Sequence, residues 1–200
     1  MALFAPGAWH GGRMSDVLLF HHAQGLTPGI LEFADRLRMD GHDVRTPDLY
    51  DGMTFDSLDE GVAHAERTGF DVLTARGVAT ADQLAGSFVT IGFSLGVLPA
   101  QQLAQTAAGA LGAVLCHAAV PLSTFGPEWP GGVALQLHTA KGDEWGDFDD
   151  AQELAIEVPD AELFAYDTTD HLVADSSLDS YDERIAAQIL EHTLTFLDRW

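Results

Sequence analysis

The sequence predicts one α/β domain over residues 1–200, with a mostly parallel central sheet flanked by helices. Three observations carry this. A chain of 200 residues with 46% hydrophobic side chains suits one hydrophobic core. Short apolar, β-branched runs alternate with segments of helical period, the pattern of strands joined by crossover helices. No fixed-period repeat and no Gly/Ser- or Pro-rich linker divides the chain into two regimes.

The strand candidates, in order, are Asp16 to His21, His42 to Arg45, Phe88 to Phe93, Leu111 to His117, Val133 to Thr139 and Glu162 to Tyr166. The near-continuous apolar run Leu111 to Leu115 suits a strand covered on both faces. Between the first two strands, Ile30, Phe33, Ala34 and Leu37 recur at helical spacing, so residues 29–40 form a helix that Gly41 ends. Residues 55–84 read as one or two helices interrupted by Gly61, Gly69 and Gly77. Leu95 to Ala107 is a further helix, with Pro99 in or just beyond the first turn, where a missing N–H is tolerated. Ala118 to Gly132, with three prolines, is a loop. Phe148 to Glu157 and Tyr181 to Leu197 complete the helices, the last keeping its period through Ile185, Ile189 and Phe196.

Composition excludes several functions. The net charge of −22, from 31 acids against nine Lys and Arg, repels phosphate backbones and anionic lipid. That leaves a small molecule or another protein as partner, and argues against nucleic acid and membrane surfaces. Apolar runs fall far short of the ~20 residues that span a bilayer. Met1 to Gly7 lacks a basic segment followed by a sustained apolar stretch, so no secretory signal is expected and a cytoplasmic location is the default. Cys116 is the only cysteine, which excludes an intrachain disulfide and a multi-cysteine metal cluster.

The sharpest local signal is Gly92-Phe93-Ser94-Leu95-Gly96, where a predicted strand hands over to a predicted helix. A nucleophile elbow needs that context: the serine projects from a tight, strained turn, and only glycine avoids clashes on either side. The helix start also offers the Leu95 N–H to a developing oxyanion. The partners of such a serine follow in the order acid, then histidine. His117 and His138 belong to predicted strands and His192 to the final helix. His171 alone lies in a polar loop, between the last strand and the last helix, which suits a general base. Asp143, just past a strand end, is the candidate acid, with Glu144 and Asp147 close enough to compete. The loop after the first strand supplies the second oxyanion donor, for which Ala23 is the candidate. His21 and His22 do not make a metal pair, because adjacent strand positions face opposite ways and no third ligand is evident. Cys116, in a predicted buried strand, reads as a small apolar residue.

These residues and their order resemble the dienelactone hydrolase family. The resemblance runs through Val17 to Pro28, Phe33 to Leu37, Pro47 to Phe55, the Gly92 to Gly96 elbow and the His171-Leu172 loop, covering residues 15–198. It implies a small α/β-hydrolase fold without a large lid, acting on esters or lactones through an acyl-enzyme, with no cofactor. The family triad falls on Ser94, Asp143 and His171, and its oxyanion donors on Ala23 and Leu95. The chain departs from dienelactone hydrolases proper in having serine for their cysteine nucleophile, His22 for a glutamate and Asp175 for an arginine that holds the substrate carboxylate. With the strongly negative charge, this argues for a neutral ester or lactone rather than a dianionic dienelactone. His22 and Trp145 are the candidate substrate contacts. Phe125 and Trp129 either line the same pocket or pack as ordinary loop residues. A homodimer stays open, as does a second reading motivated by the departures: a catalytically idle scaffold that binds a ligand or a partner protein.

Overall fold

The computed structural model describes residues 15–200, so the Met1 to Gly7 stretch read for targeting lies outside the described residues. Six strands, β1 (Asp16–Phe20), β2 (Asp43–Arg45), β3 (Phe88–Phe93), β4 (Ala110–Cys116), β5 (Ala134–Ala140) and β6 (Glu162–Tyr166), form one sheet in the order β2-β1-β3-β4-β5-β6. Every neighbouring pair is parallel. The helices are α1 (Pro28–Met39), α2 (Leu58–Thr68), α3 (Phe70–Ala79), α4 (Val97–Thr106), α5 (Phe148–Glu157) and α6 (Glu183–Leu197). This is the expected α/β-hydrolase architecture.

Strand alternation divides the core in two. Val17 and Leu19 of β1, with Ile91 of β3 and Val114 of β4, join Ile30 and Leu37 of α1 and Ile189 and Phe196 of α6. Leu18 and Phe20, with Leu115 and Leu137, turn to the opposite face and pack with Ala65, Leu73, Leu103 and Leu154 from α2, α3, α4 and α5. Strands covered on both faces must be apolar at every position, which is why the sequence shows runs rather than alternation.

Element ends shift for local reasons. β4 stops at Cys116 because His117 takes φ +66°, incompatible with a strand. The 55–84 region splits into α2 and α3 at Gly69, whose φ of +96° no other residue type adopts cheaply. A 3-10 turn covers Ser94–Gly96 before α4 begins at Val97, leaving Pro99 in the first helical turn, where its N–H is not needed. The last helix starts at Glu183 rather than Tyr181, since the Asp182 carboxylate accepts the Ile185 N–H at 2.9 Å and caps it. The Pro-rich loop is held by α4: Gln101 donates to the Val120 carbonyl at 2.8 Å and Gln105 to that of Leu122 at 3.0 Å.

The strand order places the site. From β1 the chain crosses to β2 on one side and then to β3 on the other, so the connections diverge and open a crevice at the C-terminal ends of β1 and β3. Among the described residues, no helix is long and apolar enough to cross a membrane.

Candidate active site

Ser94 follows β3 directly and has φ +48°, a left-handed conformation rare for a residue with a Cβ. Such strain costs on the order of 1–3 kcal/mol and persists only where the surroundings enforce it. A Cβ on Gly92 would run into the Gly96 carbonyl and lie 2.7 Å from the Val97 nitrogen. A Cβ on Gly96 would strike the Phe20 carbonyl and lie 2.7 Å from that of His21. The two glycines therefore let the turn close on α4 behind it and on the end of β1 beside it.

The loops after β5 and β6 bring two distant side chains to this turn. His171 Nε2 lies 2.9 Å from Ser94 Oγ, and His171 Nδ1 lies 2.6 Å from Asp143 Oδ2. A carboxylate only accepts, so Nδ1 carries the proton and donates it to Asp143. Nε2 is thereby left with a lone pair that accepts the Ser94 hydroxyl. Asp143 is itself fixed, since its second oxygen accepts the Trp145 N–H at 2.9 Å. Of the three acids in this loop, Asp143 is buried, whereas Glu144 and Asp147 are exposed. Asp147, with φ +43°, occupies the capping position of α5. The arrangement can withdraw a proton from Ser94 and stabilise the imidazolium that results.

Ala23 and Leu95 each stand three residues beyond a paired position, Phe20 in β1 and Gly92 in β3, so the segments that carry them leave the same edge of the sheet. The peptide joining His22 to Ala23 is held from its carbonyl side: His22 O accepts from His21 Nδ1 at 2.7 Å and from the Gly25 N–H at 3.0 Å. His21 Nε2 accepts the Leu49 N–H at 3.0 Å. Burial lowers the His21 pKa to about 4, which keeps this doubly bonded ring neutral.

His22, expected among the substrate contacts, is instead fully buried and engaged at both nitrogens. Its Nδ1 accepts the Gln24 N–H at 3.2 Å, and its Nε2 donates to Asp175 Oδ2 at 2.7 Å. Asp175 also accepts from Thr27 Oγ1 and, through Oδ1, from the Ser177 N–H at 2.8 Å and hydroxyl at 2.6 Å. Burial alone would raise its pKa, but the hydrogen bonds from His22, Ser177 and Thr27 outweigh it and lower the pKa to about 2. Two of the three departures from the family pattern, His22 and Asp175, thus face one another across 153 residues of sequence.

Other histidines fall in place. His117 is buried with its ring edge-on to that of His171, centroids 5.8 Å apart; burial first and His171 next hold its pKa well below the usual value. His138 bonds Tyr166 Oη at 2.9 Å and Gln136 Oε1 at 2.9 Å and stacks on Phe164. Cys116 is fully buried, and burial pushes its thiol pKa up. Among the described residues no cluster of three or more His, Cys, Asp or Glu side chains is placed to hold a metal ion.

A cavity of about 660 Å³ opens beside His171. Gln24, Leu58, Trp145, Thr169 and Leu178 line it, with Asp56, Glu144, Asp170 and Asp179 supplying negative charge and no Lys or Arg among its lining residues. Trp145, one of the candidate substrate contacts, is among the lining residues. Trp129 is not: its indole N–H donates to the Val133 carbonyl at 2.8 Å, next to the start of β5 and so at the opposite end of the sheet. Phe125 is also absent from this lining.

The family model for the dienelactone hydrolase family matches residues 2–200. No curated protein matches the chain. Among solved structures, a dienelactone hydrolase-like promiscuous phosphotriesterase from metagenomic libraries is 19% identical with a TM-score of 0.73, over 94% of this chain and 87% of its own. A dienelactone hydrolase from Klebsiella pneumoniae subsp. pneumoniae, so described provisionally, is 17% identical with a TM-score of 0.67, over 95% and 89%. A cold-adapted esterase from an Arctic intertidal metagenomic library is 14% identical with a TM-score of 0.59, over 95% and 84%. At such identities the solved structures speak to the fold, and the family match extends across nearly the whole sequence: the chain is an α/β hydrolase belonging to the dienelactone hydrolase family.

Proposed function

We propose that the protein is a serine-dependent hydrolase of small neutral carboxylic esters or lactones. The observation that carries this reading is the continuous relay from Ser94 Oγ through His171 to the buried Asp143, at 2.9 and 2.6 Å. Ser94 Oγ adds to the substrate carbonyl as its proton passes to His171 Nε2. The oxyanion accepts hydrogen bonds from the Ala23 and Leu95 N–H groups. Collapse expels the alcohol, which takes the proton from His171, and leaves an acyl-serine. Water, deprotonated by the same imidazole, then releases the acid and restores Ser94.

The preference for neutral substrates rests on the cavity lining, which offers an anion four carboxylates and no cation. The position where the family's namesakes carry an arginine holds Asp175, and its carboxylate is already satisfied by three side chains and a backbone N–H.

The test pairs turnover of a short-chain p-nitrophenyl ester with labelling by a fluorophosphonate probe. Hydrolysis and a covalent adduct on Ser94, both lost in Ser94→Ala, are expected. A folded protein that neither labels nor exceeds the Ser94→Ala control would discard the reading in favour of a non-catalytic binding scaffold.

A further inference from the structure

Resting on the serine-hydrolase reading, we propose that His22 and Asp175 are a positioning pair, which sets the Ala23 N–H and ties it to the loop that carries His171. Both side chains are buried with their polar atoms engaged by protein partners, so neither is placed to touch substrate.

The Ala23 N–H belongs to the same rigid peptide as the His22 carbonyl, so orienting one orients the other. That carbonyl is held by His21 and Gly25, both within the first-strand loop. Bonds from His21 to Leu49 and between Gln24 and Phe55 tie this turn to the 49–55 segment, but they leave it free to shift relative to the loop that carries His171. The His22 side chain removes that freedom through its bond to Asp175, four residues beyond His171 in the neighbouring loop. Asp175 is in turn bonded to Thr27 and Ser177, and Gly29 N donates to Ser177 Oγ at 3.2 Å, so the start of α1 belongs to the same network.

Both ends of the pair are almost wholly buried, at 0% and 1% side-chain exposure, which removes water as a competitor for the bond. Gly29 shows how closely the network is packed: a Cβ there would overlap the Asp175 carboxylate and lie 2.6 Å from the Ser176 nitrogen. Gly29→Ala therefore perturbs the pair from outside, with His22, Asp175 and every residue of the relay unchanged in type.

The experiment compares full-length wild type with His22→Gln, Asp175→Asn, their double variant and Gly29→Ala. Each is measured for kcat, KM, affinity for a trifluoromethyl ketone and melting temperature. The ketone adds to the serine hydroxyl and needs the oxyanion donors. The pair predicts a fall in kcat of about 100-fold, the size expected when a reacting geometry is displaced by about 1 Å. KM should stay within a few-fold, ketone affinity should fall in parallel with kcat, and the double variant should be no worse than the poorer single. Unchanged kcat and ketone affinity with a lowered melting temperature would reduce the pair to a structural role and overturn the proposal. If the single replacements at 22 and 175 do not fold, Gly29→Ala is read by the same criteria. Amide exchange of Gln24 and Gly25 decides the matter apart from catalysis. Faster exchange at both in Asp175→Asn is expected, and unchanged exchange overturns the pair. A wild type without esterase activity would instead overturn the serine-hydrolase reading.

Discussion

Asp143→Asn is the most informative single change, because the loop offers three acids and only one of them touches His171. Asparagine is nearly the same size, but one of its two oxygens becomes an NH₂ group. The buried side chain faces His171 Nδ1 on one side and the Trp145 N–H on the other. If the amide oxygen stays on Trp145, the NH₂ faces Nδ1. His171 must then carry its proton on Nε2, where it cannot accept from Ser94; that tautomer error is worth about 10⁴ in kcat, or about 5 kcal/mol. If the amide flips, the correct tautomer returns, but two N–H donors oppose each other at Trp145. Leaving a buried donor unpaired costs about 1–3 kcal/mol, so productive molecules are diluted roughly 5- to 150-fold. Loss of the carboxylate's charge beside the imidazolium removes about another tenfold. Asp143→Asn should therefore lower kcat by between about 50- and 10⁴-fold with little change in KM. Steady-state hydrolysis of a p-nitrophenyl ester measures it, with Glu144→Gln and Asp147→Asn as controls expected within about threefold of wild type. A wild-type kcat in Asp143→Asn, or an equal loss in Glu144→Gln, would refute the assignment.

Other outcomes follow from the same geometry. Gly96→Ala should lower stability by about 1–3 kcal/mol, because the new methyl meets backbone carbonyls of Phe20 and His21 that cannot rotate away. Its melting temperature should fall by several degrees and its activity with it; a stable, fully active variant would contradict the close approach. Acid should weaken the fold from below pH 6.5. The unfolded state takes up a proton on His21 that the native state refuses until about pH 4. That amounts to about 3 kcal/mol lost by pH 4, with His117 and His138, also lowered by burial, acting in the same direction. Asp175 contributes about 2 kcal/mol more above its unfolded pKa of 3.8, lost as pH falls through about 2. Urea midpoints that stay level from pH 7 to 4 would contradict neutral buried imidazoles. Finally, iodoacetamide should leave Cys116 unmodified in native protein that turns over ester, since the thiol is buried and burial disfavours its thiolate.

The strands β1, β3 and β4 were legible because each is covered on both faces, so that burial wrote itself as apolar runs in the sequence. Their ends were not. His117 leaves the extended region through one positive φ, which composition does not encode. The elbow was readable since its two glycines meet backbone that admits no Cβ, and a steric demand of that kind leaves a fixed spacing. The choice of Asp143 over its neighbours depends on where Trp145 N–H lies, a matter of loop path rather than residue type. Trp145 and Trp129 look equivalent in sequence and are separated only by the polarity of the sheet. The His22–Asp175 contact was hidden for a different reason. Each residue looked like an isolated departure, and two substitutions so far apart gain meaning only once the loops after β1 and β6 are seen to meet.

The charge of the cleft leads to a quantitative expectation about substrate choice. Asp56, Glu144, Asp170 and Asp179 line the cavity, and nothing basic offsets them there. At about 8 Å in a water-like dielectric each carboxylate repels a substrate anion by about 0.5 kcal/mol, so four together oppose it by about 2 kcal/mol. That corresponds to roughly 30-fold in kcat/KM at low salt. At physiological ionic strength the Debye length is itself about 8 Å, which cuts the penalty to under half and the discrimination to a few-fold. Desolvation or shape, by contrast, would discriminate equally at every salt concentration. A p-nitrophenyl ester carrying a terminal carboxylate, compared with its methyl-capped neutral counterpart, separates these causes. The neutral ester should win by about 30-fold at the lowest salt, with the margin shrinking as salt rises. A preference for the anion, or a margin independent of salt, would mean that the four acids do not govern entry and that a cationic contact forms outside the cavity lining described here.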